Sequence, residues 1–210
     1  MDPRFFIGPA GWSYDDWTGI VYPPAVVRKR GQLAFLAQSF KLVEVNNSFY
    51  RIPEPRSASR WAGAVAGRPG FRFTVKLFQG FTHGRELDAG RVAAFREALA
   101  PLVEAGALGC VLAQFPWSYR CGREEKVHLR RVLDAFADYP LAVEVRHGSW
   151  DIPEFFAWLR ERGVAFCNID QPVIGDSLGL TTHVTAPRAY LRLHGRNRAA
   201  WFAADADAAQ

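Results

Sequence analysis

Val143-Glu144-Val145-Arg146 is an apolar run in which every second residue is charged. Alternate residues of a β-strand point to opposite sides of the sheet, so Glu144 and Arg146 share one face. Five further strand-like runs also end in charged or amide residues on one face, and they are Val43-Glu44-Val45-Asn46, Thr74-Val75-Lys76, Leu112-Ala113-Gln114, Asn168-Ile169-Asp170 and Leu191-Arg192-Leu193-His194. An interior face that turns polar at the C-terminal end of each strand is typical of an α/β barrel. The pattern therefore predicts where the chemistry lies, and it does not identify the reaction.

Strand-like and helix-like stretches alternate along the chain, which favours a parallel sheet with crossover helices. Seven strands are predicted, at residues 5–10, 42–47, 71–77, 109–115, 141–146, 165–170 and 189–194. A TIM-type (β/α) barrel and an open doubly wound sheet both fit this alternation. The barrel is favoured because polar residues recur on six strands, whereas an open sheet concentrates its site at one switch point. Neither the GxGxxG nor the GxxxxGK[ST] nucleotide-binding motif is present.

The predicted organisation is one α/β barrel domain over residues 1–197 and an alanine-rich, irregular tail over residues 198–210. The tail has no β-branched run, so the eighth strand of a barrel is missing from this prediction. An incomplete barrel would leave two unpaired strand edges, which promote aggregation. We therefore expect either a truncated form or another element that covers the gap.

The composition is that of a globular protein, with 210 residues of which 49% are hydrophobic and 22% charged. No apolar run approaches the roughly 18 residues of a membrane span, and the N-terminus leaves no room for a signal peptide. A cytoplasmic protein without a membrane partner is expected.

The net charge is +5, but basic residues are scattered among acidic ones, so nucleic acid is possible as a partner and not favoured. Cys110, Cys121 and Cys167 form no CxxC pair and are predicted to be structural.

Longer motifs occur in a fixed order between residues 5 and 197. They include Gly8-Pro9-Ala10-Gly11-Trp12-Ser13-Tyr14, Glu44-Val45-Asn46-Asn47-Ser48-Phe49-Tyr50-Arg51, Gln114-Phe115-Pro116, Val143-Glu144-Val145-Arg146-His147 and Leu191-Arg192-Leu193-His194-Gly195-Arg196. Together they resemble the DUF72 (YecE-like) family of uncharacterised proteins. The resemblance implies a TIM-type barrel and no particular reaction. Relatives continue past the His-Gly-Arg segment into a last helix and strand, and this chain departs from them there.

Four residues are candidates for acid–base catalysis, and they are Glu44, Glu144, Asp170 and His194. Two neighbouring buried carboxyl groups raise the pKa of one of them, which suits proton transfer near neutral pH. Glu144 and Asp170 are predicted to share these duties. The alternative is that the carboxylates form an interior ion-pair lattice with the basic residues of the same face.

A second group of residues is predicted to bind substrate. We predict an anion clamp formed by Lys76, Arg146 and Arg192, since arginine offers a planar fork of donors for carboxylate or phosphate. Asn46, Gln114 and His194 would orient the ligand. Aromatic side chains near the barrel mouth would stack on it, and they are Trp12, Tyr14, Tyr50 and Trp150. The alternative for the aromatic residues is that they form the core of the loops.

These residues predict no metal ligand and no cofactor, because few histidines face inward and no HxH or HExxH spacing occurs. The favoured hypothesis is an enzyme that acts on a small anionic or phosphorylated substrate without redox chemistry. Two alternatives stay open: a nucleic-acid-binding or endonuclease-IV-like repair protein, and a non-catalytic binding module. Oligomeric state is not indicated by the sequence.

Overall fold

The computed structural model describes residues 5–197. The described residues form two compact units, which meet in the sequence between residues 112 and 113. The fold is α/β, with six parallel strands among the described residues. The predicted irregular tail at 198–210 lies outside the described residues, and the division into one domain and a tail stays a prediction.

The first unit alternates helices with strands. Its elements are α1 (Pro24–Arg28), α2 (Gln32–Leu36), β1 (Leu42–Val45), α3 (Asn47–Tyr50), α4 (Pro55–Ala64), β2 (Arg72–Lys76), α5 (Gln79–Thr82), α6 (Ala89–Glu104) and the start of β3 (Leu108–Gln114). A short 3₁₀ helix, Asp15–Trp17, precedes them. β2 lies between β1 and β3, and Glu44 of β1 is opposite Thr74 of β2.

The local sequence explains the longest helix. The side chain of Asp88 accepts a hydrogen bond from the backbone N–H of Arg91 at 2.8 Å, which caps the first turn of α6. Phe95, Ala98, Leu99 and Leu102 recur at helical spacing and are all buried. Gly106, at φ +60°, lies just beyond the helix, in the left-handed region that glycine favours.

The predicted strand at residues 5–10 is wrong among the described residues. Only Ala10 forms a bridge, to Glu44, supported by hydrogen bonds from Gly11 N to Glu44 O at 2.8 Å and from Glu44 N to Pro9 O at 3.0 Å. Pro9 has no N–H to donate, and Gly11 turns the chain away at φ +84°. Phe5 remains exposed, so its hydrophobic character does not mark a core position.

The second unit continues the alternation. β3 passes into it at residue 113 and is followed by α7 (Arg123–Ala135), β4 (Leu141–Glu144), α8 (Pro153–Glu161), β5 (Ala165–Asp170) and β6 (Tyr190–Leu193). A 3₁₀ helix, Gly148–Trp150, lies between β4 and α8. β5 pairs in parallel with both β4 and β6. The other six predicted strands are thus confirmed, with ends that differ by up to two residues.

No helix within residues 5–197 combines the length and the apolar character that crossing a bilayer requires.

Two buried polar residues anchor the long segment between β5 and β6. The side chain of Asn168 donates to the carbonyl of His183 at 2.9 Å and accepts from the Thr181 hydroxyl and from His183 N. The Thr185 hydroxyl accepts from Phe166 N at 2.7 Å. These side-chain hydrogen bonds hold the segment between β5 and β6 on the sheet, as backbone hydrogen bonds hold a strand.

Asn168→Ala should destabilise the protein by about 2–4 kcal/mol, because three side-chain hydrogen bonds contribute roughly 1 kcal/mol each and their partners become unsatisfied. Urea unfolding measures the change. Asn47→Ala, at an exposed position of α3, is the matched control and should stay within about 0.5 kcal/mol of the parent. Equal effects of the two substitutions would show that the segment does not depend on Asn168.

Candidate functional site

A fully buried carboxylate lies at the centre of the candidate site in the second unit. Glu144, 0% exposed, accepts from Arg146 Nε on Oε1 at 2.9 Å and from Arg192 Nη1 on Oε2 at 2.8 Å. His194 Nε2 lies 3.3 Å from Arg192 Nη1. We call Glu144, Arg146, Arg192 and His194 the arginine cluster.

The strand register brings this cluster together. Val143 is opposite Phe166, so the next pair along the ladder places Glu144 beside Cys167, and the Cys167 sulfur is 4.0 Å from Glu144 Oε2. Ile169 is opposite Arg192 on the same face. The predicted proximity of Glu144 to Arg146 and of Arg192 to His194 is therefore what the structure shows.

Arg146 is held at one end and open at the other. Its Nε binds Glu144, while its two terminal nitrogens contact no hydrogen-bond partner within residues 5–197. Only 13% of the side chain is exposed. The terminal N–H groups of Arg146 are therefore available as hydrogen-bond donors in a largely buried environment.

Gln114 contributes a second unsatisfied group to the same unit. It lies at the end of β3, and the next residue, Phe115, donates its N–H to the carbonyl of Glu144 at 2.9 Å. Its Oε1 is buried and accepts no hydrogen bond from the described residues. Buried amide oxygens are normally satisfied, so this one is a candidate ligand contact.

Asp170 does not join the arginine cluster. It is opposite Leu193, one position out of phase with Ile169 and Arg192, so its side chain lies on the other side of the sheet. It accepts from Arg196 Nε at 2.7 Å and from Arg196 Nη2 at 2.9 Å. The hydrogen bonds from Arg196, with its positive charge, lower the pKa of the Asp170 carboxyl. A lowered pKa is the opposite of what the predicted sharing of acid–base duties with Glu144 requires.

The first unit buries three of the predicted polar residues. Glu44 and Lys76 are both almost fully buried, and Lys76 Nζ lies 4.4 Å from the centre of the Phe49 ring. Asn46 Oδ1 is buried without a hydrogen-bond partner in the described chain. Glu44 lies within β1, Asn46 directly follows that strand, and Lys76 ends β2.

The predicted stacking residues have different surroundings. Trp150 is 1% exposed, and its Nε1 donates to the Tyr119 carbonyl at 2.6 Å, so its ring belongs to the core. Trp12 packs edge-on against Trp61, and the Tyr14 hydroxyl donates to the Ala10 carbonyl. Tyr50 is 57% exposed and is the most exposed of the four.

The predicted site residues do not include the imidazole that directly follows Arg146. His147 is buried, and its Nδ1 accepts from Ser149 N at 3.1 Å and lies 2.9 Å from Ser149 Oγ. Its Nε2 has no hydrogen-bond partner among the described residues and is 3.8 Å from an Asp176 carboxylate oxygen. The signal was the His-x-Ser spacing after β4, which the alternation argument does not weigh.

Residues 5–197 contain no group of three or more His, Cys, Asp or Glu side chains arranged to hold a metal ion. The Cys167 sulfur lies 4.0 Å from Glu144 Oε2, but two guanidinium groups already occupy that carboxylate.

The arrangement can be compared with known proteins. The sequence profile described as "Protein of unknown function DUF72" matches residues 6–210. The chain belongs to this family. The chain is similar to the UPF0759 protein YunF of Bacillus subtilis, with 30% identity over 95% of this chain and 73% of that protein's length.

Solved DUF72 structures agree with the fold. The protein TM1631 from Thermotoga maritima has 32% identity and a TM-score of 0.81, covering 95% of this chain and 77% of its own. The protein EF0366 from Enterococcus faecalis has 29% identity and a TM-score of 0.73, covering 82% and 72%. The predicted family is thus confirmed, and the family's description names no activity.

Glu144→Gln should lower the free energy of unfolding by about 3–5 kcal/mol, because two buried guanidinium groups lose their shared negative partner. Urea unfolding followed by far-UV circular dichroism measures the change. Glu161→Gln, at the exposed end of α8, is the control and should change stability little. A small effect of Glu144→Gln would mean that the arginines do not need the carboxylate charge.

The pKa of Asp170 should rise towards the ordinary aspartate value of about 3.9 in Arg196→Gln. In the parent protein the lowered pKa makes this ion pair stabilising above the unfolded-state pKa, and the contribution is lost as the pH falls through the folded-state pKa. Carboxyl carbon NMR titration measures both midpoints. Identical midpoints in the two proteins would exclude Arg196 as the cause.

Proposed function

We propose that the chain is an enzyme that binds a small anionic or phosphorylated substrate at the arginine cluster and processes it by acid–base chemistry. The observation that carries the proposal is Arg146, whose Nε is fixed by Glu144 while its terminal nitrogens have no partner in the described residues. A planar fork of donors suits a phosphate or carboxylate.

The charges of the cluster support an anionic ligand. Two guanidinium groups share the single carboxylate of Glu144, which leaves a formal excess of positive charge among these three side chains. Their side chains are at most 13% exposed. Charge that water screens poorly attracts an anion more strongly than the same charge at the surface.

The roles within the cluster follow from its hydrogen bonds. Glu144 positions both arginines through its two carboxylate oxygens, so we assign proton transfer to another group. Arginine can only donate, so His194 Nε2 accepts from Arg192, and a neutral imidazole in this orientation carries its proton on Nδ1. Imidazole is the side chain that most readily exchanges a proton near neutral pH, which makes His194 the candidate acid–base residue.

The finer architecture is part of the same proposal. We infer a TIM-type barrel from the parallel strands that alternate with helices in each unit and from the polar residues at their C-terminal ends. In such a barrel the loops after the strands surround the substrate, which is where Arg146, Gln114 and His194 occur.

Arg146→Gln should weaken the binding of inorganic phosphate, measured by isothermal titration calorimetry, by about 10- to 100-fold, since a charge-assisted hydrogen bond contributes roughly 1.5–3 kcal/mol. Arg188→Gln removes an exposed arginine and should leave the affinity unchanged. Arg146→Lys retains the positive charge beside Glu144 and loses the fork, so it tests the site without leaving Glu144 uncompensated. Unchanged phosphate binding in a folded Arg146→Lys protein would contradict the anion site.

His194→Gln separates catalysis from binding. Against a panel of phosphate esters, the parent should turn over at least one compound, and the variant should lose at least tenfold in kcat with little change in KM. The measurement is product formation by phosphorus NMR. Ligand binding without turnover in the parent would identify a non-catalytic binding module instead.

A further inference from the structure

Two adjacent depressions lie on the outer surface of the second unit, along α7 and α8. The larger, of about 380 Å³, is lined by the residues that precede α7 and by one face of that helix: Cys121, Gly122, Arg123, Lys126, Val127 and Arg130. The smaller, of about 150 Å³, lies between α7, the 3₁₀ helix and α8. Lys126 and Arg130 line both, so the two form one surface feature, which we call the α7–α8 groove.

One end of the groove is basic. Arg123, Lys126 and Arg130 are three and four residues apart and therefore share a face of α7. None of them forms an ion pair within residues 5–197. Burial raises the pKa of the Cys121 thiol and Lys126 partly opposes that shift, so the thiol adds no negative charge near neutral pH.

Side chains supply this positive charge, and the end of the helix does not. The Glu125 carboxylate lies over Gly122, where a Cβ atom would be 2.4 Å from Oε2. The first turn of α7 is thus covered by an acidic residue of its own. An anion in the groove would instead contact the arginine and lysine side chains further along the helix.

The other end of the groove is mainly aromatic and apolar, and the Glu154 side chain also lines it. Its floor is formed by Leu129, Trp150 and Phe155, which are almost fully buried. Trp158 forms part of the wall, with the Arg162 guanidinium 5.2 Å from its ring centre. A flat apolar group would bury its surface here beside the positive end.

We propose that the α7–α8 groove binds a small ligand in which a phosphate is joined to a planar aromatic ring, such as a nucleoside monophosphate. The basic end takes the phosphate and the aromatic end takes the ring, and the shared Lys126 and Arg130 place the two ends side by side. Single small-ligand pockets span roughly 300–1,000 Å³, and the larger depression alone reaches that range. No residue of the arginine cluster lines the groove.

A mononucleotide fits this surface better than a nucleic-acid strand. Arg123 and Arg130 are seven residues apart on a helix, which is about 10 Å along its axis. A strand of several nucleotides needs a longer basic track with repeated stacking positions. The groove offers one basic end and one aromatic end.

The test is a titration of the full chain with AMP, adenosine and inorganic phosphate by isothermal titration calorimetry. AMP should bind at least tenfold more tightly than either of its parts. Arg130→Gln should weaken AMP binding at least tenfold, while Arg131→Gln, at an exposed neighbouring position, should leave it unchanged. Trp158→Leu should reduce the affinity for AMP and leave phosphate binding as it was.

Two further measurements separate this groove from other sites. In Arg146→Gln, which disables the arginine cluster, AMP should still bind the groove, and Arg130→Gln made in that background should remove the binding; no AMP binding in folded Arg146→Gln would overturn the proposal. An AMP affinity unchanged by Arg130→Gln would also overturn it, provided that circular dichroism shows both variants folded. So would an oligonucleotide or an acidic peptide that binds the parent more tightly than AMP.

Discussion

The carboxylate of Glu144 lies between two guanidinium groups where water does not reach it, and the arrangement of the second unit depends on this contact. Arg146 follows the same strand, whereas Arg192 belongs to β6, two strands away. An unpaired charge at such a position costs several kcal/mol, so the three groups must be brought together as the strands pair. This requirement favours one register of β4, β5 and β6, and it also leaves donors of Arg146 available in a partly dry environment.

The segment between β5 and β6 completes the support of Arg146. Leu178 donates its N–H to the Arg146 carbonyl at 2.7 Å, and Gly148 donates to the Asp176 carbonyl at 2.7 Å. The backbone of Arg146 is therefore held by the segment while its guanidinium is held by Glu144. A group restrained at both ends loses little conformational entropy when it binds a ligand. The buried anchors Asn168 and Thr185 thus act on the candidate site through the segment that they fix.

Much of the fold follows from local patterns in the sequence. Six predicted strands are present, because the alternation of side chains along a strand is a property of neighbouring residues. The strand predicted at residues 5–10 does not form, and the sequence shows only one of the two causes. Pro9 has no N–H to donate, which the sequence shows. The turn at Gly11 depends on where residues 9–11 contact β1, which only the structure shows. Apolar character at Phe5 and Ile7 was misleading, since neither side chain is buried.

The sequence by itself determined which side chains share a face within one strand, because the two-residue repeat of a strand is independent of its neighbours. It therefore paired Glu144 with Arg146 and Arg192 with His194 correctly. Only the tertiary structure decided which strands' faces coincide, because register depends on contacts between residues distant in the chain. Ile169 is the residue that pairs with Arg192. The neighbouring Asp170, a predicted catalytic residue, therefore places its carboxylate on the other side of the sheet, where Arg196 binds it.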